Sequence, residues 1–296
     1  MSVLLRGAAP PCQARMDQRM TYGNATPSAA TAPEFAGLTH AGRKRAGNED
    51  AFALLPEAGI ALLADGIGGH ARGELASALA ISTALRGLLD TTPTLEAASL
   101  PPGQRLEDAF TAANRVVLDL AAADPGAEGM GTTLLAALFT GQRLHAAHVG
   151  DSRLYRLRAD RLELLTLDQT VGQLLASRSG RPPDGRRARP FSNVLTQAIG
   201  TDQSVQPEML DHDCAPGDLF LLCSDGLHTM LDNEEIRLTL HNFGANLDGA
   251  ARELIRLANE SGGFDNITVV LARPPKPTEA NSGERAVKQD NPPRGA

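Results

Sequence analysis

The 296-residue chain is long enough for one sizeable core, and its 28 Lys+Arg against 35 Asp+Glu, a net charge of −7, argue against a general nucleic-acid binder. Aromatic residues make up 3% with no Trp, which excludes the stacking platforms of single-strand binders. Three cysteines, Cys12, Cys214 and Cys223, are odd in number and unpatterned, so no disulfide framework is expected, and no apolar run approaches the roughly 18 residues that span a bilayer. The expectation is a soluble, cytoplasmic protein with no membrane or nucleic-acid partner.

Residues 1–33 are rich in Ala, Pro, Gln and Ser without periodicity and read as a disordered leader. One domain is expected over 34–273, with a disordered Pro/Asn/Lys/Gly tail over 274–296. Residues 35–54 read as a strand, a polar loop holding Arg45, Asn48, Glu49 and Asp50, and a second strand from Ala51. Most such charge clusters are solvated turns. Next, the apolar run 60–64 reads as a buried strand that delivers Asp65 at its end. Gly66, Gly68 and Gly69 then allow a sharp turn before His70, and apolar spacing predicts a helix from Gly73 to about Leu89. A second helix follows, with Leu106, Phe110, Ala113, Val117 and Leu120 on one face, ending at Asp124-Pro125-Gly126.

The texture then changes to strands over 131–139, 143–149, 154–157 and 162–165, joined by short turns, which means antiparallel sheet. A short helix is expected from 167–170 to about Ser177. The segment 179–190, with Arg181, Arg186, Arg187 and Arg189 among Pro and Gly, is expected to be a mobile surface flap, with structure resuming over 193–200. An apolar strand from Asp218 then leads to Asp225. Asp232 or Asn233 caps a helix, another helix covers about 248–260, and Gly262-Gly263-Phe264-Asp265 turns into a closing strand.

Asp65, Asp151, Asp225 and Asp265 each sit near glycine at a strand boundary. One such site would be an ordinary turn or helix cap, and the glycines after Asp65 lack the ending and spacing of a nucleotide-phosphate loop. Repeated, the pattern suggests carboxylates converging on magnesium or manganese, since so many acids together would repel one another without cations.

Arg45-x-x-Asn48-Glu49-Asp50, Asp65-Gly66-x-Gly68-Gly69, Gly131-Thr132-Thr133, Gly150-Asp151-Ser152-Arg153, Ser224-Asp225-Gly226-Leu227 and Gly263-x-Asp265-Asn266-x-Thr268 together resemble the ordered motif set of the PP2C (PPM) protein serine/threonine phosphatases, in their compact bacterial form. The resemblance spans about 35–272 and implies an α+β fold, an α-β-β-α sandwich of two antiparallel sheets flanked by helix pairs. It implies hydrolysis of phosphoserine and phosphothreonine by a metal-bridging hydroxide, in a signalling protein that opposes a bacterial Ser/Thr kinase and acts as a monomer.

Carried over, Asp65 bridges two Mg2+ or Mn2+ ions, the Gly66 carbonyl binds one of them, and Asp225 and Asp265 hold the other. Glu49 and Asp50 order metal-bound waters or ligate directly, Asp151 serves a weaker third ion, and Arg45 forks two phosphate oxygens. Two positions depart from the pattern. Ile67 stands where eukaryotic members carry a histidine proposed as general acid, and His70 nearby is expected to cap or pack the helix start. Thr229 stands where many relatives carry an Asp that assists Asp151. The competing readings are a non-catalytic PPM-like module, disfavoured by the presence of Asp65, Asp225 and Asp265, and an enzyme for small phosphorylated metabolites.

Overall fold

The computed structural model describes residues 4–6, 32–67, 72–89, 100–179, 191 and 193–275. Within these, every strand pairing is antiparallel. The larger sheet runs β1 (Leu4–Arg6), β3 (Asp50–Leu55), β4 (Ile60–Ile67), β6 (Leu134–Thr140), β7 (Arg143–Val149) and β10 (Glu208–Asp213), with β5 (Gly131–Thr132) added to the end of β4. The smaller sheet runs β2 (Glu34–His40), β12 (Ile267–Arg273), β11 (Leu219–Cys223), β8 (Arg153–Arg158) and β9 (Arg161–Leu164).

Antiparallel strands read as unbroken apolar runs only when both faces are covered, and β3, β4, β11 and β12 are such strands. Along β4, Ile60, Leu62 and Ala64 face α1 (Gly73–Leu89) and α2 (Pro102–Ala123), whereas Ala61 and Leu63 face the other sheet. Along β12, Ile267, Val269 and Leu271 face outward onto the last helices of the chain, and Val270 and Ala272 face inward. Those helices are α5 (Asn233–Phe243), capped by a reciprocal Asp232–Glu235 box, and α6 (Leu247–Glu260). The layers are therefore helix, sheet, sheet, helix, as expected. Between the sheets Phe220, wholly buried, meets the Phe139 ring edge-on at 5.6 Å, and Phe35 meets Phe139 at 5.8 Å.

Several local expectations need correction. Leu4–Arg6, inside the presumed leader, pairs with Phe52, Ala53 and Leu54 at the sheet edge. Asp65 is not at a strand end: β4 continues to Ile67, with Asp65 opposite Asp50 and Gly66 opposite Thr132. The strand expected over 131–139 is split at Thr133, whose N–H and hydroxyl are both taken by the Asp65 backbone. Residues 167–170 are not helical, because the Thr170 hydroxyl accepts from Gln173 N and α3 (Val171–Ser179) starts one residue later. Strand β10 was missed because it is an edge strand with alternating burial and no apolar run. The rest of the leader, His70, the basic segment 180–190 and residues 276–296 lie outside the described residues.

Replacing Phe220 with Ala is expected to destabilise the fold by about 3–5 kcal/mol, and replacing it with Leu by clearly less, since the aromatic chain sits where neither sheet can collapse into the void. Urea unfolding of the three proteins checks the ranking.

Candidate active site

The acidic residues gather where one end of each sheet meets the other. Arg45, Glu49, Asp65, Gly66, Asp151, Asp225 and Asp265 line a cleft of about 600 Å3, whose lining also includes Asn193, Leu195, Thr196 and Asp202. Asp65 comes from β4, Asp225 from the first residue of the four-residue helix α4 (Asp225–His228), and Asp265 from the loop before β12. Asp151 follows β7.

Asp50 lies behind this lining, 1% exposed. Its Oδ2 accepts from Ser224 Oγ (2.9 Å) and Thr268 Oγ1 (2.6 Å), so a carboxylate on the larger sheet is gripped by two hydroxyls of the smaller one. Its Oδ1 is buried with no hydrogen-bond partner, an arrangement that suits an acceptor aimed at a cation or its water. Thr268 is itself braced, by Thr39 at 2.7 Å, and Thr39 by Asn48 at 2.8 Å.

Asn266 organises the Arg45 loop. Its Nδ2 donates to the carbonyls of Ala41 and Gly47, and its Oδ1 accepts from Glu49 N at 2.8 Å. Glu49 O in turn accepts from Gly66 N and Ser77 Oγ. The Asp65 carbonyl takes hydrogen bonds from Thr133 N and Thr132 Oγ1, both at 2.9 Å, which is the structural task of the Gly-Thr-Thr run. Only glycine fits at Gly66, where a Cβ would come within 2.3 Å of Gly73 O. The strand can therefore pass close under the α1 start and leave the Gly66 peptide at the cleft.

Burial, with crowding added to it, shifts Asp50, Asp65, Asp151 and Asp225 upward. Burial holds Asp65 well above the usual carboxylate range, with repulsion from Asp50, Asp225, Asp151 and Asp265 adding to it. Burial also pushes Asp50 up to about 7, against the pull of its two hydroxyl partners. Asp151 rises to about 7 through burial and then Asp225. Asp225 rises to about 6 through burial and Asp265, offset by Arg45 and by a hydrogen bond from Asp65. Arg45 Nη2 donates to Asp265 Oδ2 at 2.8 Å. Among the described residues no three acidic, His or Cys side chains form a ready-made ligand cluster. The donor set is nonetheless carboxylates, a peptide carbonyl and one orphaned buried oxygen, the chemistry that hard divalent cations take.

Ile67 is exposed at the cleft, and the Thr229 hydroxyl turns back onto the Asp225 carbonyl at 2.7 Å. Sequence reasoning overlooked the roles of Ser224, Asn266 and Thr268. Their signal was their place, Ser224 and Asn266 beside an acid already singled out and Thr268 at the end of the Asp265 motif. It also overlooked Asp168, which Arg153 grips through two bonds at 2.8 and 2.6 Å next to the Asp151 loop.

Comparison with known proteins agrees with this geometry. Residues 36–273 match the Protein phosphatase 2C family. The serine/threonine protein phosphatase PstP of Mycobacterium tuberculosis (strain H37Rv) is 38% identical over 238 residues, 80% of this chain and 44% of the relative, so the chain spans under half of that protein's length. The protein phosphatase PhpP of Streptococcus pneumoniae (strain D39) is 34% identical over 246 residues, covering 80% of this chain and 96% of the relative. A solved structure of the PstP catalytic domain in complex with two manganese ions superposes with a TM-score of 0.68 at 36% identity, over 81% of this chain and 97% of that one. No helix among the described residues is long and apolar enough to cross a membrane. In motif order, sandwich architecture and carboxylate-lined cleft alike, the chain belongs to the protein phosphatase 2C family.

Proposed function

We propose that the chain is a divalent-metal-dependent protein serine/threonine phosphatase that hydrolyses phosphoserine and phosphothreonine in other proteins. The observation that carries this reading is the convergence of Arg45 with Asp65, Asp225 and Asp265 on one cleft. PstP, named as a serine/threonine protein phosphatase, and PhpP, named as a protein phosphatase, support it, as do the manganese ions in the PstP catalytic domain. Asp65 with the Gly66 carbonyl, and Asp225 with Asp265, would hold two Mg2+ or Mn2+ ions, and Glu49 and Asp50 would orient water toward them. Such ions supply Lewis-acid stabilisation of the phosphoryl oxygens and acidify water.

The protein's own groups do the rest. Arg45, anchored by Asp265 beside the carboxylates, meets two phosphate oxygens and stabilises the charge that spreads over them in the transition state. Asp50, clamped between two hydroxyls, fixes a water on its other oxygen. Ile67 has no proton to give, so the leaving oxygen takes its proton elsewhere. A third ion would rest on Asp151 with only waters beside it, because Thr229 is neutral and its hydroxyl is committed to a carbonyl. The physiological role is opposition to a cognate Ser/Thr kinase, in the cytoplasm and as a monomer.

Asp65→Asn is expected to lower kcat by about a hundredfold or more, the scale for loss of a central electrostatic stabiliser. It should leave the melting temperature without added metal equal or higher, since one repelling acid is gone. The upward shift in melting temperature that manganese gives the parent should shrink with it. Initial rates and thermal melts, each with and without manganese, check all three. A chain that binds phosphothreonine peptide without turning it over would be the non-catalytic module instead.

Arg45→Ala is expected to raise KM for p-nitrophenyl phosphate by about 10- to 100-fold, the worth of a charge-assisted contact. The manganese concentration for half-activation should move far less. Steady-state kinetics across a manganese series separates the two effects, and unchanged KM would make Arg45 a partner of Asp265 only.

A further inference from the structure

The cleft has a floor and a wall built from separate parts of the chain. The floor includes Asp151, on the loop after β7, and the wall includes Leu195 and Thr196, beyond α3. Gln169 stands between them and bonds both. Its N–H donates to Gly150 O and its side-chain Oε1 accepts from Gly150 N, both at 2.9 Å, a closed two-bond pairing with the residue before Asp151. On its other side the Gln169 carbonyl accepts from Thr196 N at 2.8 Å and Thr196 Oγ1 at 3.0 Å.

Neither neighbour can drift without breaking this contact. Gly150 has φ of +107°, and a Cβ there would lie 2.5 Å from Thr133 Cγ2, so the loop has one tight path past the Gly-Thr-Thr run. The wall is joined to the same stretch by the Thr170–Leu195 bridge and by Val171 N donating to Val194 O. On the floor side, the Arg153–Asp168 pair holds the residue preceding Gln169 against β8.

Of these links, the Gln169 amide is a side-chain bond that can be removed without touching the backbone pairing. Gln169 itself is half-buried and outside the cleft lining.

We propose that Gln169 is a positioning residue: it sets the wall that flanks a bound phosphopeptide at a fixed distance from the loop carrying Asp151. The proposal rests on the phosphatase reading of the cleft. A small phosphate ester reaches only the floor and does not use the wall. A phosphopeptide lies against both, so its productive alignment depends on their spacing.

The test compares the full chain with Gln169→Leu, which keeps size and loses the acceptor, and Gln169→Glu, which keeps an acceptor oxygen at the same reach. With manganese present, Gln169→Leu is expected to lower kcat/KM on a phosphothreonine peptide about tenfold, mostly through KM, the size of one lost hydrogen bond. On p-nitrophenyl phosphate the change should stay below about twofold, and Gln169→Glu should recover most of the peptide activity. Hydrogen exchange over 148–152 and 193–197 should quicken together in the Leu variant and not in the Glu variant. Thr196→Val, at an exposed position that tolerates change, should quicken exchange over 166–170 and raise peptide KM to a smaller extent.

Equal losses on both substrates, or a Leu variant with parental kinetics and exchange, would overturn the proposal. Failure of the parent to hydrolyse either substrate would instead overturn the phosphatase reading. The exchange measurements answer the positioning question in that event, because they need no turnover.

Discussion

The cleft depends on one carboxylate shared between two sheets. Asp50 belongs to the larger sheet, yet both donors to its carboxylate belong to the other side, Ser224 just after β11 and Thr268 within β12. A buried acid without partners would be strongly unfavourable, and one held by two hydroxyls is tolerable. The grip also fixes the spacing between the strand that carries Asp65 and the turn that carries Asp225. Asn266 does the same for the Arg45 loop with three further bonds.

This arrangement sets stability against function locally. Asp65, Asp151 and Asp225 are brought together although burial and neighbouring carboxylates raise the affinity of each for protons. The opposition is met by rigidity elsewhere: three apolar clusters, one within the sandwich and one beneath each helix pair, leave the strand ends little freedom to move apart.

Much of this could be read from the sequence. Strands such as 143–149 and helices such as 73–89 announced themselves by period, and the acids by their place beside glycine. Periodicity failed at β10, where exposed Met209, Asp211 and Asp213 alternate with half-buried Glu208, Leu210 and His212 and no apolar run marks an edge strand. It failed again at Asp65, because a strand that continues through Asp-Gly looks like one that ends there. The partners of Asp50 were beyond reach for a different reason. A threonine 218 residues away cannot be paired to an acid by spacing, only by register in three dimensions.

That separation has a consequence for how the protein comes into being. Strand β12 lies between β2 and β11, so the smaller sheet has no continuous core until residues 267–273 arrive. Arg45 likewise waits for Asp265, 220 residues on, and Asp50 for Thr268. Contacts of such range close late and slowly. During synthesis on the ribosome, the growing polypeptide therefore carries Asp50 through another 218 residues before the threonine that grips it is made. The cleft is therefore left without its full frame until residues 267–273 have emerged from the exit tunnel.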